Sequence, residues 1–370
     1  MNEDKASRYH RLRRRASASG AVVAAAWMLL LLATGWSAVF RDVAGRAAGY
    51  AFLPTVLYYA VFVAVLTEVV QAPVAFYQGV ILERRYGLSG QTAARWWVDR
   101  LKVGGIAVGL TAVCALVVWS LLRWSPAYWW LAASLCFAAV LVCLVQIGPV
   151  LLLPAFYTLK PLRRPELGLR IAQLAERAGA GAVDVFEWQL GSQERKANAV
   201  LAGLGRTRRV LLSDTLLAEH SDDEIEVVLA HELAHHAHHD IWKAIALDAT
   251  LIVLGFYVAD LVLRASVGHF GVTSLDDIAG FPLLVLAGGA VSLALVPLAN
   301  AMSRAHERRA DRYALAMTGK PEAFISAMRR LASQHLAEER PSKLVELLLC
   351  SHPPVAARLE AARAWEAGRR

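Results

Sequence analysis

The chain has 370 residues, 57% of them hydrophobic, and a mean hydropathy of +0.42. An ordinary soluble globule is excluded, because the apolar excess sits in stretches of about 20 residues, the length that crosses a bilayer core. The formal net charge is +8, yet no aromatic–basic interleaving accompanies it, so nucleic acid is not expected as a partner and the charge reads as the cytoplasmic bias of a membrane protein.

The first 20 residues hold Lys5, Arg8, Arg11, Arg13, Arg14 and Arg15, and the apolar run Ala21–Phe40 then predicts a first span. A basic start before an apolar run also fits a signal peptide. The run is long for that role, and no clean small-x-small cleavage site follows it. Further spans are predicted at Ala51–Val74, Val103–Leu122, Tyr128–Phe156, Ile241–Leu263 and Phe281–Ala301, giving about six in all. Tyr128–Phe156 is long enough to tilt or to project beyond the bilayer.

Arg84, Arg85, Arg95, Arg100 and Lys102 follow the second span, whereas the opposite loops hold only Arg41, Arg46, Arg123 and Arg264. The positive-inside rule then places both termini and residues 157–240 in the cytoplasm, on a bacterial-type plasma (inner) membrane. Glu68, Asp248 and Asp260 fall within predicted spans. Acids at such depth face a cavity or a partner, unless the span limits are a few residues off and put some at the interface. Trp96–Trp97 and Trp129–Trp130 read as interfacial anchors. Cys114, Cys136, Cys143 and Cys350 form no CxxC pair and read as small core residues, not as disulfides or metal ligands.

These elements predict a mainly α, polytopic membrane protein in four parts. Residues 1–160 form a membrane region with four spans and a cytoplasmic loop at 77–102. Residues 161–240 form a cytoplasmic catalytic segment, residues 241–301 two more spans, and residues 302–370 a cytoplasmic C-terminal segment. Within 161–240, RRPELGLRIAQLAERAGA has helical spacing and a Gly-rich stop, and VDVFEWQL and RRVLLSDTLL read as strands. KANAVLAGLG between them suits a strand edge. Ser221-Asp222-Asp223-Glu224 is a helix start, with a Ser cap and Glu at the third position. No Gly or Pro follows until Gly255, so one continuous helix is predicted, entering the membrane near Ile241.

LAHELAHHAHHD, Leu229–Asp240, carries five histidines. His231 and His235 are four apart, so on a helix both imidazoles can reach one ion. Glu232, next to the first, can reach a water there. This is the HExxH pattern of zinc hydrolases: two ligands and a general base. His235 and His239 share that spacing, but the residue after His235 is His236, which cannot serve as a carboxylate base. His236, His238 and His239 read as a solvated interfacial set or as weak metal binders. A bare HExxH also arises by chance, so a third ligand matters. NAMSRAHERRADRYAL, Asn300–Leu315, puts Glu307 and Asp311 on one helical face. Glu307 can complete a His₂Glu site with a position left for water, and Asp311 can fix the tautomer of a ligating histidine. Read alone, both acids could simply pair with Arg304, Arg308 or Arg312.

HELAHH followed by NAMSRAHERRAD resembles the HExxH…NxxSRxxExxAD pattern of the integral-membrane zinc metalloproteases, whose branches are the type I CAAX prenyl endopeptidases and the HtpX-like quality-control proteases. APVAFYQGVILERRYGLSGQTAARWWVDRLK, KANAVLAGLGRTRRVLLSDTLL and SHPPVAARLEA also match, and the first and last favour the CAAX branch. The resemblance covers roughly residues 60–365. It implies a small α+β zincin-like (gluzincin) domain holding one Zn²⁺ per chain, with His231, His235 and Glu307 as ligands and Glu232 as general base. It further implies Asp311 behind a ligand, Asn198 positioning substrate along the strand edge, His352 steadying the oxyanion, Arg358 beside the substrate, and Arg304 bracing the ligand helix. It also implies a water-filled chamber enclosed by the spans. The expected activity is metalloendopeptidase cleavage of peptides or membrane-associated proteins, lipidated ones included, in contact with membrane lipid. Six expected spans against seven in the eukaryotic CAAX enzymes, and a shorter chain, leave prenylated substrates open. The competing readings are HtpX-like quality control and a dead protease fold kept as a scaffold or transporter.

Overall fold

The computed structural model describes residues 5–156, 158–181, 183–189, 199–202, 209–334 and 338–368. Two compact units emerge. One gathers Met1–Arg8, Val140–Asp248 and Leu295–Arg370; the other gathers Tyr9–Ala139 and Ala249–Ala294.

In the second unit, α1 (Lys5–Ala33) begins in the basic segment, and its apolar half supplies the first span. It stops earlier than the expected Phe40. Gly35 takes a left-handed φ of 75°, Thr34 Oγ1 donates back to Leu30 O at 2.6 Å, and Phe40 falls in a separate short helix, α2 (Trp36–Ala47). A glycine adopts that φ without the steric penalty that other residues meet. The helix α3 (Phe52–Phe76) does not end at the expected Val74. It widens into a π-helical segment, Tyr77–Leu82, and continues as α4 (Glu83–Tyr86), ending at Gly87 with φ 75°. Next comes α5 (Ala93–Trp124), capped by Thr92 Oγ1, which accepts from the Arg95 N–H at 3.3 Å. The expected loop at 77–102 is therefore helical except for Gly87–Thr92, because VILERRY contains no breaker before its glycine. Gly79 is required here: a Cβ would lie 2.4 Å from Trp96 Nε1. The widened turn sets Glu83 where Tyr9 Oη donates to it at 2.7 Å.

The acids expected in spans have partners or exposure. Glu68 pairs with Arg100. Asp260 accepts from Trp129 Nε1 at 2.5 Å and from Arg264 Nε at 2.8 Å. Asp248 is exposed on α10 (Asp240–Ser266). Trp129, expected at the interface, is fully buried instead, because its N–H serves the Asp260 carboxylate. Among the described residues five helices are long and apolar enough to cross a membrane: Lys5–Ala33, Phe52–Tyr86, Ala93–Trp124, Asp240–Ser266 and Ile278–Thr318. With α6 (Trp129–Phe156), another strongly apolar helix, they account for the six expected.

Among the described residues the first unit holds a four-stranded sheet in the order β1-β2-β4-β3, from β1 (Thr158–Pro161), β2 (Asp184–Gln189), β3 (Ala199–Ala202) and β4 (Arg209–Ser213). β2 runs parallel to β4, and the other pairs are antiparallel. The strand β1 was not expected from the sequence; it is a four-residue edge strand ending in proline. Leu167, Ile171 and Leu174 of α7 (Pro165–Arg177), Val210 and Leu212 of β4, and Ile225, Leu229 and Leu233 of α9 (Asp222–Ala237) bury one another almost completely. Each side chain so buried contributes roughly 1.5–3 kcal/mol, and together they fix α9 against the sheet. The short α8 (Asp214–Glu219) links β4 to α9.

The start of α9 follows the sequence. Ser221 Oγ accepts from the Glu224 N–H at 3.3 Å while Glu224 Oε2 accepts from the Ser221 N–H at 2.7 Å, a full capping box. Its end does not. The expected single helix breaks after Ala237: His239 has φ 54°, and α10 begins at Asp240. The left-handed conformation costs a non-glycine residue roughly 1–2 kcal/mol, so something holds it. Lys243 Nζ donates to His238 O at 2.7 Å, and the Asp240 carboxylate is tied down on several sides.

The far side of α9 is clamped by charge. Lys320 Nζ lies 2.7 Å from Asp223 Oδ1 and 2.8 Å from Glu226 Oε2, and Arg170 Nε lies 3.1 Å from Glu226 Oε2. Burial pushes the Glu226 carboxyl up, but Lys320 and Arg170 together hold it below its usual value; they also lower Asp223. Folded pKa values below unfolded ones give stability that is complete above the ordinary carboxylate range and is lost as pH falls through the folded values. The thermal midpoint is expected to drop on acidification below about pH 4–5, and Lys320→Met is expected to flatten that drop. An unchanged slope in the variant refutes the clamp.

The last long helix, α11 (Phe281–Thr318), carries Glu307 and Asp311 beyond the predicted span. After it come α12 (Pro321–Gln334), α13 (Lys343–Leu349) and α14 (Val355–Ala367).

Candidate active site

The α9 helix presents His231, Glu232 and His235 on its last two turns, and α11 brings Glu307 against them. His231 Nε2 lies 3.4 Å from Glu307 Oε2, and His235 Nε2 lies 3.6 Å from Glu307 Oε1. The three side chains each offer a donor atom within 4.8 Å of the others. Tetrahedral zinc with bonds of 2.0–2.1 Å separates its ligand atoms by about 3.4 Å. Two imidazole nitrogens and a carboxylate at that spacing are a donor set that fits such an ion.

Each histidine has a carboxylate behind it. His231 Nδ1 lies 3.0 Å from Asp311 Oδ1, at an angle short of a well-aligned hydrogen bond. His235 Nδ1 lies 3.1 Å from Asp240 Oδ2. Asp311 is in turn gripped by Arg358, whose Nε and Nη2 donate to its two oxygens at 2.8 and 2.5 Å. Burial pushes the His231 imidazole down, yet Asp311 and Glu307 outweigh it and lift its pKa to about 9 in the metal-free protein. Glu232 shifts up: burial dominates, with His231 and His235 opposing. A carboxylate pushed toward neutrality is suited to accept a proton and then return it.

The C-terminal elements close the site. His352, in the turn before α14, puts Nδ1 3.1 Å from Glu307 Oε2 while its side chain stays 64% exposed. Arg304, expected to brace the ligand helix, donates from Nη1 to Glu346 O at 2.8 Å and to Cys350 O at 2.6 Å. It thereby ties the segment leading to His352 onto α11, helped by Asn300 Nδ2 donating to Leu348 O at 2.8 Å. Arg358, expected beside the substrate, has its guanidinium committed to Asp311 and only 14% of its side chain exposed. Asn198 lies outside the described residues, immediately before β3. Sequence reasoning missed Asp240 and also Arg309, whose Nη2 donates to Asp240 Oδ1. Asp240 closes the histidine-rich run and could have been noticed there, but on an unbroken helix it points away from His235.

A mixed sheet, an HExxH helix packed on it, a carboxylate from a later helix, and long apolar helices define a membrane-embedded metallopeptidase. Residues 161–366 match peptidase family M48, and residues 2–158 match the CAAX prenyl protease N-terminal module, described as five membrane helices. The chain belongs to peptidase family M48, in its CAAX prenyl protease-like group. The uncharacterized metalloprotease YhfN of Bacillus subtilis is 30% identical over 347 residues, covering 92% of this chain and 81% of that one. CAAX prenyl protease 1 of Saccharomyces cerevisiae is 26% identical over 316 residues, 80% of this chain and 69% of that one. The crystal structure of S. mikatae Ste24p matches with a TM-score of 0.82 at 24% identity, covering 97% of this chain and 87% of that one; the likeness supports the fold.

Proposed function

We propose that His231, His235 and Glu307 hold one Zn²⁺ and that Glu232 is the general base of a metalloendopeptidase acting at the cytoplasmic face of a bacterial plasma membrane. The observation that carries this reading is the spacing of the three donors, near that of a tetrahedral zinc site. When bound, the metal polarises the scissile carbonyl and acidifies the attacking water. Glu232 takes the proton from that water as its oxygen bonds to the carbonyl carbon, and delivers it to the amine nitrogen as the C–N bond breaks. His352, exposed and 3.1 Å from Glu307, donates toward the carbonyl oxygen as negative charge develops there. Arg358 and Asp311 orient His231. Among the described residues β3 is an edge strand of the sheet, so an extended peptide can pair along it, and Asn198, the residue before β3 in sequence, is the one we assign to hold that peptide.

The substrate class we favour is the C-terminal or juxtamembrane peptide of a membrane-associated, including lipidated, protein. α10 follows the metal-binding helix within three residues and is long and apolar enough to span, so the reaction lies at bilayer level. The positive residues around 1–20 and 84–102 support the cytoplasmic orientation. The test uses detergent-purified protein. Atomic absorption is expected to find one zinc per chain, a chelator to abolish cleavage of a farnesylated CAAX-type peptide, and added Zn²⁺ to restore it. Cleavage that survives removal of all metal sinks the reading, and activity only on unlipidated peptides removes its substrate part.

A further inference from the structure

His231 and His235 are not served alike by the sequence, but they are in space. Behind His231 stand Asp311 and then Arg358. Behind His235 stand Asp240 and then Arg309. Asp240 Oδ2 is 3.1 Å from His235 Nδ1, and the other oxygen, Oδ1, is bonded by Arg309 Nη2. Lys243 Nζ lies 3.3 Å from that same oxygen, and His306 Nε2 lies 3.9 Å from it. The Asp240 side chain is 7% exposed, so a carboxylate there needs these partners, and it has them. We infer that Asp240, held by Arg309, is the positioning residue for His235: it fixes the Nδ1–H tautomer, aims Nε2 at the metal, and makes a second His–Asp–Arg relay parallel to the first. The inference rests on the zinc reading above.

The helix break makes this geometry possible. On an unbroken α-helix the residue five places after His235 would lie roughly 140° around the axis and 7.5 Å along it, with its side chain turned away. The left-handed residue at His239 (φ 54°) turns the chain so that Asp240 faces back toward His235. Arg309 is two residues from Glu307 on α11. The helix that supplies the third donor therefore also clamps the carboxylate behind the second. A buried acid with no functional demand on it would be better replaced by an apolar residue; this one sits where a metal-bound imidazole needs an acceptor.

The test compares wild type, Asp240→Asn and Asp240→Ala as full-length protein in detergent, with Glu232→Gln as a metal-binding control. Zinc affinity is read by chelator competition, and the ligand field by the visible spectrum of the Co²⁺-substituted protein. The amide of Asn still accepts from Nδ1–H through its oxygen; Ala does not. Expected is a loss of zinc affinity of about 10–100-fold in Asp240→Ala, a smaller loss in Asp240→Asn, and an altered Co²⁺ spectrum in Asp240→Ala. A merely structural role would lower the melting temperature of Asp240→Ala with unchanged zinc affinity and Co²⁺ spectrum, and that result overturns the relay alone. A wild type and Glu232→Gln control that bind no zinc overturn the zinc reading and the relay with it.

Discussion

In the Glu232→Gln protein, peptide cleavage falls by about 10²–10⁴-fold while metal content stays at the wild-type level. The two outcomes together identify the residue. Glu232 lies on α9 between the two histidines, and burial raises its pKa against the pull of His231 and His235. On the proposed reading it moves a proton and does not bind the ion, since the Nε2 atoms of both histidines converge on Glu307. The amide of Gln fits the same space and leaves the donor set untouched, yet it cannot take a proton from water. Metal analysis alongside a single-turnover cleavage assay separates the roles. Wild-type cleavage by this variant removes Glu232 from the mechanism; loss of metal would move it into the donor set.

Arg358→Ala is expected to have the next largest effect, on stability and on metal retention together. The Arg358 and Asp311 side chains are 14% and 6% exposed and meet through two parallel hydrogen bonds. Deleting one partner of such a buried pair leaves the other charge uncompensated, at a cost of about 3–5 kcal/mol. The effect then reaches the site: Asp311, no longer gripped, loses its fixed place against His231 Nδ1. Arg358→Lys should recover little, because a single ammonium cannot reproduce the fork. Thermal melting and zinc retention in a chelator series measure both. A stable Arg358→Ala protein with wild-type metal affinity shows that Asp311 needs no such support.

How much of this could be read from the chain alone depends on the range of the interaction. The HExxH spacing, the Ser221 capping box and the long apolar runs are local patterns with a fixed period, and the structure reproduces them. Glu307 and Asp311 were legible as a pair on one helical face. Their pairing with α9 was favoured only once the HExxH motif was in view, because read alone they could pair with Arg304, Arg308 or Arg312. Arg358 shows why: its part is set by a contact with Asp311 across 47 residues. The break at His239 was missed for a different reason. No glycine or proline announces it, and a left-handed histidine is held only by tertiary partners, chiefly those of Asp240. The extent of α3 was misjudged because charged residues at 83–85 look like loop, although ERRY simply continues the helix.

That long helix holds one more consequence. A π-helical turn is an α-helix with one residue too many, absorbed by widening the coil instead of breaking it. At Tyr77–Leu82 the surplus shifts every later side chain by about 100° relative to an unwidened helix. Glu83 is thereby turned to receive the Tyr9 hydroxyl, and glycine at position 79 lets the Trp96 indole lie against the bulge. Deleting a single residue there would restore ideal helical geometry and still span the membrane, yet rotate Glu83 away from Tyr9. The number of residues in this helix is therefore set by rotational phase at its C-terminal end as well as by the thickness of the bilayer.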